Sequence, residues 1–337
     1  MKNFVERLKL NKKRYLKYWQ KGGVAPVIIA ILLYLIHLIL DVIRKVKINT
    51  RALGCKGEAL CELFDGTKMF VDLTDFGFSA DILFYDKREP QTIDYFLSSL
   101  NAKDIFFDIG ANMGYYTLLA AKKVKQVTAV EPVIENYQLL NKNILKNELR
   151  NVTTYNIALA EKTEERNIYI PLKRNWSTIF PPVFPYPPSF YKQLTCQKIA
   201  AYSLDEFLNR NPKILPPTWV KMDAEGGEYF IIKGAMGTLK QYKPKILLEL
   251  HFRRLDNAML AEILDTLIRL GYHIDQYFFE VSWQWYCAPA WLKKEMRKWL
   301  DRFYFHLFKG KPMSLECLKN EELVYSKALT FVQLFLS

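Results

Sequence analysis

The sequence predicts an α/β fold, in which a mostly parallel sheet is doubly wound with helices on both faces. Two observations carry this prediction. Between residues 103 and 271, apolar strand-like runs alternate with amphipathic helix-like runs, a rhythm typical of parallel strands joined by crossover helices. At the start of this region, a glycine-containing loop follows one apolar strand and opens a helix, which is where doubly wound folds bind their ligands.

The predicted strands and helices alternate along the chain. Five strands are predicted, with the sequences DIFFDIG, QVTAVEP, NVTTYNIAL, WVKMD and PKILLEL. Four helices are predicted, with the sequences YYTLLAAKKV, NYQLLNKNILKN, EYFIIKGAMGTLKQY and NAMLAEILDTLIRLGY. The last helix should end at Gly271. The proline-rich stretch 171–188 must be a loop, because proline lacks a backbone donor, and it is either a substrate lid or a passive connection.

Length and composition bound the domain organisation. The 337 residues are half hydrophobic and a quarter charged, which is typical of a folded chain and excludes a largely disordered one. This length suits one large α/β domain with appendages. We predict four regions: a basic arm with an apolar helix (1–46), a leading subdomain (47–100), the α/β domain that would carry the active site (101–285), and a basic, aromatic, amphipathic C-terminal segment (286–337).

Cysteine and histidine usage argues against disulfides and metals. The five cysteines are scattered and form no CxxC pair, and only four histidines are present. Neither a disulfide framework nor a zinc site is therefore indicated, and a reducing compartment is expected. We predict that the protein holds no metal.

The loop within FFDIGANMGYYTLLAA is the strongest chemical signal. Gly110 and Asn112 suit a tight turn, and Gly114 lets the following helix approach a ligand closely. Similar loops serve dinucleotide enzymes, so the glycines alone do not choose a cofactor. The carboxylate of Asp108 would repel a pyrophosphate but can accept a hydrogen bond from a cationic amino group, such as that of S-adenosylmethionine. Glu131, after the next strand, is placed to bind the ribose hydroxyls of either cofactor.

Two further clusters of polar residues follow later strands. VKMDAEGGEYF presents Asp223, Glu225 and Glu228, and LLELHFRR presents Glu249 and His251 on one face of an extended chain. Since the carboxyl ends of parallel strands face the ligand crevice, at least one of these acids should point there. Glu225 and Glu228 also begin a helix, whose macrodipole would stabilise acids without any catalytic purpose. For Glu228 this structural interpretation is preferred.

Several of these runs, taken in order, resemble the FkbM family of S-adenosylmethionine-dependent methyltransferases. The matching runs are DIGANMGYYTLLAA, AVEPVIENYQLLNKNI, NIALAE, SLDEF, VKMDAEGGEYFIIKGA and ILLELH, and they span roughly residues 104–251. The resemblance implies a seven-stranded, Rossmann-like class I methyltransferase fold and methylation of a hydroxyl on a sugar or natural product. It implies cofactor contacts at Asp108, Gly110, Asn112, Gly114 and Glu131, with Asn156 and Ala158 near the adenine. Gly227 departs from the small alanine that is more usual at its position.

The predicted function is O-methylation by S-adenosylmethionine. Methyl transfer from a sulfonium is an in-line displacement, so positioning the acceptor oxygen supplies much of the acceleration. A hydroxyl must also lose its proton, and we predict His251 as the general base, with Asp223 or Glu225 orienting the substrate. The acceptor would be a small molecule, a glycan or a lipid-linked hydroxyl. Two alternatives stay open: a non-catalytic, membrane-associated module with a methyltransferase fold, and a dinucleotide-binding Rossmann enzyme.

The net charge of +13 favours an anionic partner. Much of the excess accompanies two apolar stretches, residues 24–43 and residues 291–309. The first is long enough to span a bilayer, but His37 and Asp41 raise its cost in hydrocarbon, and spanning would place the basic arm outside a cytoplasmic enzyme. The second is a basic amphipathic helix suited to an anionic membrane surface. We therefore predict attachment to the cytosolic face of a membrane, with spanning and burial against the domain as alternatives. We expect no nucleic-acid partner, since phosphate binding would not need apolar stretches.

Overall fold

The computed structural model describes residues 57–75, 78–171, 174–179, 194–251, 254–278, 314–320 and 332–337. Two sequence predictions, the apolar segment at 24–43 and the amphipathic helix at 291–309, lie outside the described residues. Within the described part of the chain, no helix is both long and apolar enough to cross a bilayer.

Twelve strands and nine α-helices are present in the described ranges. The strands are β1 Glu58–Glu62, β2 Lys68–Asp72, β3 Ile105–Ile109, β4 Gln126–Val130, β5 Val152–Tyr155, β6 Ala158–Leu159, β7 Glu164–Ile170, β8 Thr195–Tyr202, β9 Trp219–Met222, β10 Lys245–Leu250, β11 Ile274–Phe278 and β12 Val332–Leu336. The α-helices are α1 Ser79–Tyr85, α2 Pro90–Ser99, α3 Tyr115–Ala121, α4 Ile134–Lys146, α5 Leu204–Arg210, α6 Glu228–Gly234, α7 Met236–Tyr242, α8 Asn257–Arg269 and α9 Leu315–Asn320.

A seven-stranded sheet organises the fold. Its strand order is β11-β12-β10-β9-β3-β4-β5. The five strands from β10 to β5 are parallel, and β12 runs antiparallel to both of its neighbours. The predicted class I methyltransferase fold, a doubly wound and mostly parallel seven-stranded sheet, is therefore confirmed.

The central strand β3 explains why the sheet has two hydrophobic cores. All five of its residues are buried, as expected for a parallel strand covered on both faces. Phe106 packs into a core with α1 to α4, whereas its neighbour Phe107 packs into the opposite core with α5 to α8. Successive side chains of a strand point to opposite faces, so this one strand ties both helix layers to the sheet.

Two predicted elements differ in detail from the structure, and strand β12 of the central sheet was not predicted. The run NVTTYNIAL divides, since β5 joins the central sheet while β6 pairs with β8 in a separate three-stranded sheet of order β6-β8-β7. The helix predicted over EYFIIKGAMGTLKQY divides at Ala235 into α6 and α7. Finally, β12 comes from the region 286–337 and yet lies between β10 and β11. A strand so far along the chain can complete the sheet because four of its five residues are apolar and all five are buried.

The leading subdomain supplies a β-hairpin and two helices beside the sheet. β1 and β2 pair antiparallel, and Met69 and Val71 of β2 are buried in the core that contains Phe106. Asn143 of α4 holds β2 by both backbone groups of Phe70, accepting from its N–H at 2.6 Å and donating to its carbonyl at 3.0 Å. This subdomain therefore shares a core with the α/β domain.

Candidate active site

The loop between β3 and α3 has the backbone geometry that its sequence predicts. Gly110, Asn112 and Gly114 all have positive φ, at 78°, 53° and 98°, and this left-handed region favours glycine and asparagine. A Cβ atom on Gly110 would overlap the main-chain oxygen of Asp223. The loop after β3 and the loop after β9 are therefore in direct backbone contact, and together they form one wall of a pocket.

Glu131, directly after β4, lines this pocket. One of its oxygens, Oε2, accepts a hydrogen bond from the Asn112 N–H at 2.8 Å, and Oε1 accepts one from the Val133 N–H at 3.0 Å. Burial raises the pKa of Glu131 to about 7, although these two bonds oppose the shift. Each carboxylate oxygen has a second lone pair, so this side chain can also accept from two vicinal hydroxyls.

Asp108, the last residue but one of β3, lies beneath the loop and is only 1% exposed. Its Oδ2 accepts a hydrogen bond from the Thr117 hydroxyl at 2.6 Å. Its Oδ1 has no hydrogen-bond partner among the described residues and lies 3.9 Å from the Lys221 ammonium. Burial raises the pKa of Asp108, while Lys221 and Thr117 act against the shift. An unsatisfied buried acceptor of this kind suits a cationic donor from a ligand.

These residues fit S-adenosylmethionine. Glu131 lines the pocket and is an acceptor for ribose hydroxyls, and the orphaned Oδ1 of Asp108 is an acceptor for an ammonium. Gly110 and Asn112 also line the pocket, whereas Asp108 and Gly114 are not among its lining residues. Ala158 lines the pocket, and its place near the adenine stays a prediction. Asn156 instead donates to the carbonyls of Glu131 and Pro132, at 2.9 Å each, so its amide holds the loop that carries the ribose-binding acid.

The pocket also contains residues that sequence reasoning missed. Asn136 of α4 and the segment 174–179 both line it. Arg174 donates to Asn136 Oδ1 at 3.2 Å and forms an ion pair with Asp72 of β2. The hydroxyl of Thr178 donates to the Glu225 carbonyl at 3.0 Å. This part of the proline-rich insertion is therefore a wall of the pocket rather than a passive connection, and the only signal in the sequence was the length of the loop.

The loop after β9 and the end of β10 bring four acids around His251. His251 Nε2 lies 3.3 Å from Glu249 Oε1, 3.6 Å from Glu225 Oε2 and 4.0 Å from Asp223 Oδ1. His251 Nδ1 lies 3.0 Å from Glu228 Oε1. The two sequence clusters therefore form one site, and Glu249 and His251 share a face as predicted. Asp223 and Glu225 also line the cofactor pocket.

The backbone of the loop after β9 is strained at Glu225, one of the acids beside His251. Glu225 has a φ of 50°, in the left-handed region that a non-glycine residue seldom adopts. Its carboxylate is held by Arg254 at 2.8 Å and lies beside His251. Such strain persists only where the surroundings enforce it, and it concentrates at functional sites.

Burial and neighbouring charges together set the pKa values of the groups around His251, and for some groups their effects oppose each other. For His251, burial alone would lower the pKa, but Glu225 and Glu228 hold it well above its usual value. Burial raises the pKa of Glu249 to about 7, and the nearby charge of Asp223 adds to this shift. The pKa of Asp223 is lowered instead, because the charges of Lys221 and His251 outweigh the effect of burial. Lys221 and His251 thus keep Asp223 ionised more readily than Glu249.

Lys221 of β9 is a buried cation that sequence reasoning did not select. Its ammonium lies 3.2 Å from Asp223 Oδ2 and 4.8 Å from the centre of the Tyr116 ring. Burial alone would lower the pKa of Lys221, but Asp223 and Asp108 raise it above normal. The side chain therefore links the acid under the cofactor loop to an acid beside His251.

A series of buried hydrogen bonds connects the leading subdomain to the acids around His251. Gln333 of β12 donates to Glu249 Oε2 at 3.1 Å and to Glu89 Oε2 at 2.9 Å. Glu89 precedes α2 and also accepts from the Tyr116 hydroxyl at 2.6 Å. Glu89 and Gln333, which are far apart in the chain, thus support the same side of the site.

The cluster also bears on the prediction that the protein holds no metal. Ligand atoms of Asp223, Glu249 and His251 lie within 4.8 Å of one another, a spacing that a cation could bridge. Lys221 and Arg254 already bring positive charge to these acids, so the group is an ion-pair network in its own right. The absence of a metal stays a prediction.

The raised pKa values of two acids predict how stability depends on pH. Glu131 and Glu249 move from 4.5 to about 7 on folding, so the folded protein binds more protons than the unfolded chain in this window. The free energy of unfolding should therefore fall as the pH rises from about 5 to about 7, by on the order of 3 kcal/mol for each group. Urea unfolding at a series of pH values measures this slope.

The double variant Glu131→Gln, Glu249→Gln is the control for this slope. Glutamine keeps an acceptor oxygen but does not titrate, so the stability of the variant should fall less steeply than that of the wild type over the same window. A wild-type stability that rises with pH would contradict the assignment.

Comparison with known proteins places the site in a family. The sequence profile described as Methyltransferase FkbM domain matches residues 108–274, about half of the chain. The match begins at Asp108 and includes Glu131, Asp223 and His251. It therefore contains the cofactor loop and both acidic clusters.

Curated relatives match a shorter part of the chain. The 23S rRNA (uracil(1939)-C(5))-methyltransferase RlmD of Aliivibrio fischeri is 34% identical over 113 residues, which are 33% of this chain and 25% of that protein. The protein of the same name from Aliivibrio salmonicida is 30% identical over 110 residues, which are 33% of this chain and 24% of that protein. The chain thus spans about a quarter of the length of these relatives.

Solved structures include distant likenesses. Methyltransferase FkbM from Methylobacillus flagellatus is 20% identical, with a TM-score of 0.34 over 49% of this chain and 37% of that one. M. jannaschii TYW2 in complex with AdoMet is 15% identical, with a TM-score of 0.38 over 70% of this chain and 83% of that one. These likenesses are too slight to add to the case made by the sheet order and the family profile.

Proposed function

Because the chain belongs to the FkbM family of S-adenosylmethionine-dependent methyltransferases, we propose that it methylates a hydroxyl group of a sugar, a glycan, a lipid-linked molecule or another natural product. One observation carries the proposal: two sets of side chains meet at one pocket. Glu131 supplies carboxylate oxygens suited to a ribose, while Asp223 and Glu225, both beside His251, line the same pocket.

His251 is the proposed general base. Methyl transfer requires the acceptor oxygen to attack the methyl carbon as its proton leaves, and a base with a positioned lone pair accepts that proton. The imidazole lies beside Asp223 and Glu225, whose oxygens can accept hydrogen bonds from acceptor hydroxyls and so orient them. S-adenosylmethionine, when bound, supplies the methyl group and its positive sulfonium.

The acids of the pocket lining support a polyhydroxyl acceptor. Asp223 and Glu225 place carboxylate oxygens at the pocket. Carboxylates bind hydroxyl donors well. The RlmD proteins carry names that describe action on rRNA, and an RNA acceptor is therefore included in the test below.

Calorimetry tests the cofactor assignment on which this proposal rests. S-adenosylhomocysteine should bind the purified chain, while NAD should not. Glu131→Ala removes two charge-assisted hydrogen bonds, each worth about 1.5–3 kcal/mol, so affinity for S-adenosylhomocysteine should fall at least about 100-fold. Tight binding of NAD together with no binding of S-adenosylhomocysteine would refute the assignment.

Matched measurements separate the cofactor question from the acceptor question. Glu135→Ala, at an exposed acid four residues further along the chain, should leave the affinity unchanged. Labelled methyl transfer into the glycan, lipid, small-molecule and RNA fractions of a cell extract then identifies the acceptor. Label that appears only in RNA would refute the hydroxyl acceptor proposed here, while leaving the methyltransferase assignment intact.

We also propose that the chain attaches to the cytosolic face of an anionic membrane. The basic arm, the apolar residues 24–43 and the basic amphipathic pattern of residues 291–309 support this proposal. The full-length chain should sediment with vesicles that contain phosphatidylserine at low salt, and less with neutral vesicles, because surface attraction is screened by salt and needs anionic lipid. Equal recovery in the supernatant with both vesicle types would contradict the proposal.

A further inference from the structure

Glu228 is the most deeply buried acid of the site. It is the first residue of α6, and its side chain is 0% exposed. Its Oε1 accepts a hydrogen bond from the Ala224 N–H at 2.9 Å and lies 3.0 Å from His251 Nδ1. A carboxylate is costly to bury without partners, and an acid that served only the start of a helix could stay in water. Its complete burial against His251 therefore needs another explanation.

The two ring nitrogens of His251 face different surroundings. Nδ1 faces Glu228 at the start of α6. Nε2 lies nearest to Glu249, at 3.3 Å, and also faces Glu225 and Asp223 at 3.6 and 4.0 Å; the last two acids line the cofactor pocket with Gly110 and Glu131. Nε2 is therefore the ring nitrogen that lies beside the two acids of the pocket lining, although His251 itself does not line the pocket. Because Glu225 and Glu228 raise the pKa of His251, the ring must first lose its extra proton before Nε2 can act as a base. The proton that remains on the neutral ring must then sit on Nδ1.

We propose that Glu228 is a positioning residue that holds the proton of neutral His251 on Nδ1, so that Nε2 accepts the proton of the acceptor hydroxyl. This inference rests on the proposed function. In the step, the acceptor O–H proton moves to Nε2, the oxygen forms a bond to the methyl carbon, and the bond between that carbon and sulfur breaks with its electron pair left on sulfur. The imidazolium then loses its extra proton to water.

The same contact also steadies the imidazolium that the step creates. Glu228 Oε1 is fixed by the Ala224 N–H, so its charge stays beside Nδ1 while the ring becomes positive. The other charged groups around the ring and its partners come from β9 and its loop, β10 and the turn after it, and the leading subdomain. They are Lys221, Asp223, Glu225, Glu249, Arg254, Arg88 and Glu89.

Nuclear magnetic resonance of nitrogen-labelled histidine tests the inference without a known acceptor. The full chain contains four histidines, and the His251 signals are identified by their loss in His251→Gln. With saturating S-adenosylmethionine, the wild-type neutral ring should carry its proton on Nδ1 as the pH is raised. In Glu228→Gln, the pKa of His251 should fall by about one unit or more, and the preference for Nδ1 should be lost, because the amide has no charge and can also donate.

Asp104→Asn is the matched control, because Asp104 is another buried acid that binds Asn101 and Thr218 far along the chain from His251. It should lower stability without changing the His251 signals. A wild-type ring protonated on Nε2, an imidazolium that persists to about pH 10, or unchanged signals in Glu228→Gln would each overturn the inference.

Kinetics add a second readout once an accepting fraction is identified. Glu228→Gln should lower kcat by about 100- to 10,000-fold, the range of a general base, whose upper end is the loss seen when the acid that orients a catalytic histidine is replaced by its amide. The KM for S-adenosylmethionine should stay the same. If the wild type does not bind S-adenosylmethionine, the proposed function fails. If it binds and transfers methyl groups but Glu228→Gln has normal kcat, only the role of Glu228 fails.

Discussion

Replacing Gly110 with alanine is expected to abolish binding of S-adenosylhomocysteine. Gly110 has a φ of +78°, and a Cβ atom there would overlap the main-chain oxygen of Asp223. That oxygen cannot move away easily, because the Asp223 N–H donates to the Ile109 carbonyl at 3.2 Å and so fixes the loop to β3. The two loops would have to separate, which would displace Asn112 and its hydrogen bond to Glu131. Affinity should fall by more than about 100-fold.

Gly66→Ala is the matched control for this effect. Gly66 has a φ of +81°, close to that of Gly110, but nothing lies within 4 Å of an added Cβ. Both variants should pay the cost of a left-handed alanine, about 1–2 kcal/mol in thermal or urea unfolding. Only Gly110→Ala should lose cofactor affinity in calorimetry. Equal affinities of the two variants would mean that the contact between the loops does not shape the cofactor site.

Replacing His251 with alanine is expected to lower methyl transfer by about 100- to 10,000-fold, the usual contribution of a general base. The ring is 6% exposed and is surrounded by Glu225, Glu228 and Glu249, none of which can replace its Nε2 at the same position. Binding of S-adenosylhomocysteine should persist, because His251 does not line the pocket that holds Gly110 and Glu131. Labelled transfer into the accepting fraction measures turnover, and calorimetry measures binding.

His273→Ala provides the comparison for this loss. The His273 side chain is 72% exposed and pairs with Asp275 away from the site, so its removal should leave turnover unchanged. Near-normal turnover of His251→Ala, with an unchanged pH dependence, would exclude His251 as the base. Asp223 and Glu225, the acids of the cluster that line the pocket, would then be the remaining candidates.

The fold was predictable because its signals are local. Each parallel strand of the central region is a short apolar run, and each crossover helix carries apolar residues at helical spacing. The antiparallel strand β12 was not predictable in this way. Its residues, VQLFL, are apolar like many others, and only pairing with β10 and β11 shows that they belong to the sheet.

The site was predictable in its parts but not in its arrangement. Asp223, Glu225, Glu249 and His251 were selected because they follow strands whose carboxyl ends face a crevice. Glu228 was assigned a structural role, since an acid in the first turn of a helix is favoured there by local charge alone. Its contact with His251 depends on how the loop after β9 turns through Glu225.

Short runs of neighbouring residues were enough to predict the order of the central strands and helices, the cofactor loop at residues 108–114, the acid at residue 131 and the family. Three features became known only from the folded chain: Lys221 joins two acids, Gln333 bonds to Glu89 and Glu249, and part of the insertion, residues 174–179, lines the cofactor pocket. These features could not be predicted because they depend on contacts between positions far apart in the chain. Burial and charge balance, which set the pKa of each group, exist only after the chain has folded.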